Sequence, residues 1–401
     1  MVSSISETDA SFIDKLSSLS GQNIRVCFQC SQCTASCPIS YVDPFNIRRL
    51  IRALQLGLKE KILRSDDIWK CTMCYECYDR CPNDVNIPKV IAALRKLAIE
   101  KGIGPKAVLD TEKNILELSN VWGLDEETRE LAIEELKDNL AIKRITFSTK
   151  PKAKVVYFPG CLSLYLNRAQ GIASAIVAIL DKAKENWTFL EELKCCGHPL
   201  ILTGAASEDD LKKIAEWNVS KIEESGAKRL VTGCPGCLQA FKNEYPKILG
   251  RELNFEVIHF VQLLSEYLFS RRRRIPFPKK LIERVTYHDP CELGRVIDVF
   301  NEPREILQKT KVVSRFVESE PDNLRNSRCC GAGGFLKSTH ERLSNDLADE
   351  RLKTLIKTRS GLCVTACPSC KLQLMDTALR CDNQIKIMDI AELVAKQLKL
   401  L

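Results

Sequence analysis

Eight cysteines near the start of the chain stand in two matching runs. They are Cys27-x2-Cys30-x2-Cys33-x3-Cys37-Pro38 and Cys71-x2-Cys74-x2-Cys77-x3-Cys81-Pro82. This is the spacing that holds a pair of [4Fe–4S] cubes: three close thiolates grip three irons of one cube, and the fourth, just before proline, reaches the other. It assigns Cys27, Cys30, Cys33 and Cys81 to one cube and Cys71, Cys74, Cys77 and Cys37 to its neighbour. Crossed ligation keeps the cubes close enough for electron hopping, so the chemistry is one-electron transfer. Zinc takes four ligands and has no use for a run ending in Cys-Pro. Phe28, Met73, Tyr75 and Tyr78, interleaved with the cysteines, are expected to shield the clusters.

A second constellation occurs twice. Its copies are Cys161-x33-Cys195-Cys196-x37-Cys234-x2-Cys237 and Cys291-x37-Cys329-Cys330-x36-Cys367-x2-Cys370. Equivalent cysteines lie 130, 134, 133 and 133 residues apart, which marks two copies of one unit. Five thiols exceed the four that a tetrahedral ion takes. Adjacent cysteines diverge and suit different irons of a larger cluster, so a polynuclear site is expected, with zinc as the alternative. Gly197, Gly331, Gly333 and Gly334 follow the cysteine pairs and let backbone approach a bulky group. Pro235 and Pro368 stiffen the Cys-x2-Cys turns. His198 and His288 flank these cysteines and read as hydrogen-bonding or proton-donating groups or as packing residues. Cys363 and Cys381 fall outside the repeat and are expected to be buried apolar residues.

Segments that alternate strand and helix must position these cysteines. Val155–Phe158 and Arg229–Thr232 read as buried strands, and 169–184 and 210–224 as amphipathic helices. The alternation predicts α/β units around a mostly parallel sheet, with the cysteines at strand ends, where such sheets bind ligands. Helix N-termini there offer N–H groups to an anionic cluster. The 33 residues between Cys37 and Cys71 hold one expected helix, 45–61, so the first module should be mainly α-helical. The organisation is a helical ferredoxin domain at 1–104, a helical connector at 105–150 including 126–140, and Cys-Cys-Gly units at 151–275 and 276–401.

Bulk properties limit the alternatives. Of 401 residues 45% are apolar and 28% charged, and no apolar run approaches the ~18 residues that span a bilayer. The start lacks the basic and apolar regions of a signal peptide. A cytoplasmic protein is expected, with any contact to the inner face of a membrane made through a partner. Twenty cysteines in a reducing compartment point to metal, not to disulfides. Each oxidised cube with four thiolates carries about −2, so two offset roughly half of the formal +8, and no nucleic-acid partner is implied. The basic run Arg271-Arg272-Arg273-Arg274 reads as a solvated linker, with docking to an acidic partner the sharper alternative. Gly331-Ala332-Gly333-Gly334 lacks the spacing of a nucleotide fingerprint.

These motifs together resemble the heterodisulfide reductase family. CFQCSQCTASCP and CTMCYECYDRCPNDV resemble its electron-transfer subunit, the last 250 residues resemble its catalytic subunit, and fusion in this order resembles the form associated with membranes in methanogenic archaea. The resemblance implies reduction of the mixed disulfide of coenzyme M and coenzyme B. It implies a non-cubane [4Fe–4S] cluster on each five-cysteine set, fed by the two cubanes. It also implies an electron donor, either a membrane haem b subunit or a flavin-containing subunit. The rival implication is an iron–sulfur relay of a glycolate, lactate or glycerol-3-phosphate dehydrogenase, passing electrons toward quinone. A zinc-stiffened scaffold is the third reading.

Overall fold

A computed structural model describes residues 8–270, 274–276, 281–309 and 313–401. It comprises two compact units. Of the described residues, the first holds 8–112, 199–207 and 328–348, and the second holds those within 113–198, 208–327 and 349–401.

Around its cysteine loops the first unit is helical, as its sequence predicts. Helix Ala10–Ser20 packs on helix Ile87–Glu100. In the latter, Ile87, Val90, Ile91, Leu94, Leu97 and Ala98 recur at helical spacing and are buried. Asn86 caps it by accepting the Lys89 N–H at 3.1 Å, and Pro88 stands in the first turn, where its missing N–H costs nothing. The single helix expected at 45–61 is two, Ile47–Gln55 and Lys59–Leu63, because the chain turns through a left-handed Gly57.

The second unit contains two four-stranded parallel sheets of one topology. The strands are β1 (Val155–Phe158), β2 (Trp187–Thr188), β3 (Arg229–Thr232), β4 (Glu256–His259), β5 (Leu281–Tyr287), β6 (Val313–Phe316), β7 (Leu362–Thr365) and β8 (Lys386–Asp389). The orders are β2-β1-β3-β4 and β6-β5-β7-β8. In β1 and β7 every residue is buried, the pattern of strands covered on both faces. Helix Asn167–Lys182 is apolar on most of its surface because it packs both in its own repeat and on helix Ile390–Gln397 of the other. The ion pair Lys371–Glu392 (2.7 Å), with Lys371 also donating to the Arg168 carbonyl (2.9 Å), adds a buried polar link between the repeats. Helices Glu208–Glu224 and Glu126–Ile142 extend slightly past their expected spans.

Candidate metal centres

The two ferredoxin-like runs have the same backbone. Gln29 and Ser31 in one, and Met73 and Tyr75 in the other, adopt left-handed conformations with φ from 55° to 73°. A non-glycine residue pays roughly 1–2 kcal/mol for that conformation. Four such residues stand at matched positions in the two runs, the left-handed backbone from which anion-binding nests are built. The Met73 N–H approaches Cys71 Sγ at 3.4 Å, and the Val85 N–H approaches Cys81 Sγ at 3.3 Å. Burial, then the charges of Cys74 and Cys71, push the Cys37 thiol up, so Cys37 lies among the cysteines of the other run. Burial raises Cys33 as well, with Cys27 and Cys30 adding to it.

The two crossed sets of four differ in exposure. Cys37, Cys71, Cys74 and Cys77 are buried, whereas Cys30 is exposed and Cys27, Cys33 and Cys81 are partly so. A hollow of about 830 Å³ opens beside Cys27, lined also by Phe28, Arg52 and Gln55. Met73 is buried, whereas Phe28 is 63% exposed and Tyr78 also reaches the surface.

In the second unit all five thiols of the first Cys-Cys-Gly set meet. Cys161 follows β1 on helix Gly160–Tyr165, and Cys234 follows β3 as N-cap of helix Pro235–Gln239, with Pro235 in its first turn. Hydrogen bonds link Cys161 to Cys195, Cys195 to Cys196, Cys196 to Cys237 and Cys237 to Cys234. The Cys196 and Cys237 sulfurs are 3.4 Å apart. Sharing protons along this chain pushes Cys161 and Cys237 well up and draws Cys196 and Cys234 down. Gly160 has φ +74°, and a Cβ there would lie 2.9 Å from Cys237 Sγ, so the backbone forms one wall of the thiol cluster. A small cavity of about 30 Å³ adjoins Cys161 and Cys195. Five convergent sulfur donors fit iron and sulfide and exceed what one tetrahedral ion takes.

Buried polar residues that sequence reasoning missed hold the cysteine pair in place. Asn218 accepts the Lys194 N–H (2.8 Å) and donates to the Cys195 carbonyl (3.4 Å) and to Tyr245 Oη (3.0 Å). Tyr245 in turn donates to the Cys196 carbonyl at 3.1 Å. Arg129, from the helix before β1, donates to the Leu193 carbonyl at 2.6 Å. Each acts on backbone, so no side-chain motif announces it.

The second set is distributed over both units. Cys291 follows β5 and Cys367 N-caps helix Pro368–Arg380, which also carries Cys370; these three belong to the second unit. Cys329 and Cys330 belong to the first, where Ser344 Oγ donates to the Gly331 carbonyl at 3.0 Å. The segment leading to Cys291 is fixed by Asp289, whose carboxylate takes two hydrogen bonds from Arg304 (2.8 and 3.0 Å) and the Leu324 N–H (2.9 Å). Arg304 also grips Glu318 through two bonds, at 2.7 and 3.0 Å.

Both histidines are buried and engaged. His198 Nε2 lies 2.8 Å from Glu292 Oε1, so the residue after the first Cys-Cys-Gly meets the residue after Cys291. Burial opposes its charge, but Glu292 more than offsets this and raises its pKa. His288 Nδ1 accepts from Arg351 Nε at 3.0 Å. Cys363 is fully buried in β7 as expected. Cys381 is not: it is exposed at the end of its helix, 3.5 Å from Asp349 Oδ1, because the helix terminus faces solvent. Of the basic run, Arg271, Arg272 and Arg273 lie outside the described residues. Arg274 is not simply solvated: it pairs with Glu185 and stacks on Tyr267.

Residues 23–85 match the model of a 4Fe-4S dicluster domain, and residues 155–242 and 285–375 each match that of a cysteine-rich domain. One subunit of the dihydromethanophenazine:CoB–CoM heterodisulfide reductase of Methanosarcina barkeri is 32% identical over 402 residues, spanning 94% of both chains. The chain belongs to the heterodisulfide reductase family. As a member it is an iron–sulfur oxidoreductase subunit. This heterodisulfide reductase homologue is similar as well to the EtfAB:quinone oxidoreductase of Syntrophomonas wolfei, at 27% identity over 87% of this chain and 49% of that protein. A crystal structure of a hypothetical protein from Helicobacter pylori shares the fold, with TM-score 0.52, 11% identity, and coverage of 96% of this chain and 72% of that one. Among the described residues no helix is long and apolar enough to cross a membrane.

Proposed function

We propose that this chain is the catalytic iron–sulfur subunit of a heterodisulfide reductase, reducing the coenzyme M–coenzyme B disulfide to two thiols. The observation that carries the reading is the meeting of Cys161, Cys195, Cys196, Cys234 and Cys237 at the carboxyl edge of a parallel sheet. The same five-cysteine pattern recurs in the second repeat as Cys291, Cys329, Cys330, Cys367 and Cys370. Each set would hold a non-cubane [4Fe–4S] cluster. The two ferredoxin-like sets would hold cubanes: Cys27, Cys30, Cys33 and Cys81 one of them, and Cys71, Cys74, Cys77 and Cys37 the other. Bound there, these groups supply electrons singly and offer iron to sulfur.

The reaction balances as disulfide plus two electrons plus two protons, giving two thiols. A two-electron substrate calls for two one-electron sites, and the duplicated set meets that need. The chain's own residues keep the donors convergent: Asn218 and Tyr245 hold the Cys195 and Cys196 carbonyls, Arg129 holds the Leu193 carbonyl just before them, and burial of those thiols excludes water. Electrons would enter from a haem b or flavin-containing partner.

Protein purified without oxygen is expected to hold about sixteen irons and negligible zinc. It should reduce the coenzyme M–coenzyme B disulfide with an artificial dye donor. Cys196→Ala should abolish turnover and leave the paramagnetic signals of the cubanes intact. Full iron content without turnover would refute disulfide reduction. It would favour a relay toward quinone, the reading that the similarity to a quinone oxidoreductase supports.

A further inference from the structure

Arg95 is fully buried in the first unit, on helix Ile87–Glu100. A guanidinium has five N–H donors, and here five carbonyls accept from it. Nε donates to Ile68 (2.8 Å), Nη1 to Leu202 (3.2 Å) and Gly334 (3.1 Å), and Nη2 to Trp69 (3.3 Å) and Cys71 (2.8 Å). Its plane also lies 5.3 Å from the Trp69 ring centre. Hydrogen bonding is complete, yet among the described residues no carboxylate is a partner. A buried charge without a counter-ion is costly, and Cys71, whose carbonyl it binds, is one of the cysteines that would hold an anionic cluster. An arginine keeps its charge in a protein interior.

The other ferredoxin-like run has a counterpart with one difference. The carbonyls of Ile68 and Cys71, to which Arg95 donates, correspond to those of Ile24 and Cys27. Both of these accept from a single side chain, Gln55 Nε2, at 3.3 and 2.9 Å. One loop is therefore held by a neutral amide at the partly exposed run, and its equivalent by a positive charge at the buried run. Arg95 also fixes Gly334, in the loop that follows Cys329 and Cys330. A Cβ on Gly334 would lie 2.2 Å from the Cys71 carbonyl oxygen, and the charge of Cys329 acts on Cys71.

We propose that Arg95 is a positioning residue that makes the cluster of Cys37, Cys71, Cys74 and Cys77 the easier of the two cubanes to reduce and ties it to the Cys329–Cys330 loop, so that electrons run inward from the Cys27 side. The proposal rests on the two-cubane reading. Each reduced cluster gains a negative charge, which burial disfavours and a fixed cation favours. At the Cys71 run burial alone would leave the inner cluster the harder to reduce, and the guanidinium reverses this.

The test is a potentiometric titration of the whole protein followed by electron paramagnetic resonance, with the signals assigned through Cys30→Ser and Cys74→Ser. Arg95→Gln copies the chemistry of Gln55. It should lower the reduced-to-oxidised ratio of the inner cluster at least tenfold at a fixed potential, a 59 mV shift for one electron, and leave the outer cluster within threefold. Arg95→Lys should restore most of the ratio. An unmoved inner cluster, equal shifts in both clusters, or equal losses in the Gln and Lys variants would overturn the proposal. If Arg95→Gln does not assemble, Gln55→Lys serves instead: it should raise the ratio of the outer cluster, and no change there overturns the proposal. Absence of two cubane signals in the unaltered protein would sink the two-cubane reading itself.

Discussion

Gly197 and Gly331 hold the same place after the two cysteine pairs and share a left-handed backbone, with φ of +68° and +87°. Their surroundings differ. A Cβ at Gly197 would meet nothing closer than 3.7 Å, whereas one at Gly331 would lie 2.3 Å from the Ser344 carbonyl oxygen and 3.3 Å from the Leu347 Cβ. Gly197→Ala should therefore cost only the left-handed penalty, roughly 1–2 kcal/mol. Gly331→Ala bears that penalty and must also displace helix Glu341–Ile356, whose Ser344 oxygen cannot rotate away. Such overpacking adds about 1–3 kcal/mol, for a total of about 2–5 kcal/mol. The assay is urea unfolding of the anaerobic protein, followed by the bleaching of its visible absorption. We expect the midpoint of Gly331→Ala to fall clearly below that of Gly197→Ala. Equal midpoints would show that close approach at Gly331 does not govern this loop, and would refute the reasoning.

Two further outcomes follow from buried charges. Arg304→Met removes the cation shared by buried Asp289 and partly buried Glu318 and should destabilise the protein by about 3–5 kcal/mol in the same assay; a loss under about 1 kcal/mol would remove this network as an anchor for the segment before Cys291. At Asp389, burial and then Glu392 push the carboxyl up to about 8, so the folded protein keeps a proton that the unfolded chain releases near 4. Stability from this group is complete below pH 4 and is lost as pH rises toward 8, by about 2–3 kcal/mol between pH 6 and 8; Asp389→Asn should flatten that slope and still cap its helix, and an unchanged slope would assign the pH dependence elsewhere.

The dicluster domain was legible because the spacing of its cysteine runs is itself the motif. The strands Val155–Phe158 and Arg229–Thr232 were legible because continuous β-branched and apolar runs leave few alternatives. What escaped were residues that act on distant backbone. Arg95 stands in helix Ile87–Glu100 like any solvated charge, and only the fold reveals the carbonyls of Ile68, Leu202 and Gly334 around it. Asn218 and Tyr245 escaped for the same reason. The second five-cysteine set reads as one object in sequence, yet Cys329 and Cys330 belong to a different compact unit from Cys291, Cys367 and Cys370. Linear order does not report which unit a loop joins.

The two repeats share a backbone plan but not equivalent surroundings. Position 160 is a left-handed glycine against Cys237, and its counterpart before Cys291 is Pro290, whose ring forbids a positive φ. The first cysteine of each set therefore leaves its strand by a different path. The N-cap after the last strand is His259 in one repeat and Asp389 in the other. His259 Nδ1 accepts the Val261 N–H at 3.2 Å, and Asp389 Oδ1 accepts the Ala391 N–H at 2.8 Å. Burial lowers the pKa of His259 to about 4 and raises that of Asp389 to about 8, so both caps are neutral near pH 7 through opposite shifts. The shared acceptor preserves each helix start, while the side chains around the two cysteine sets are free to diverge.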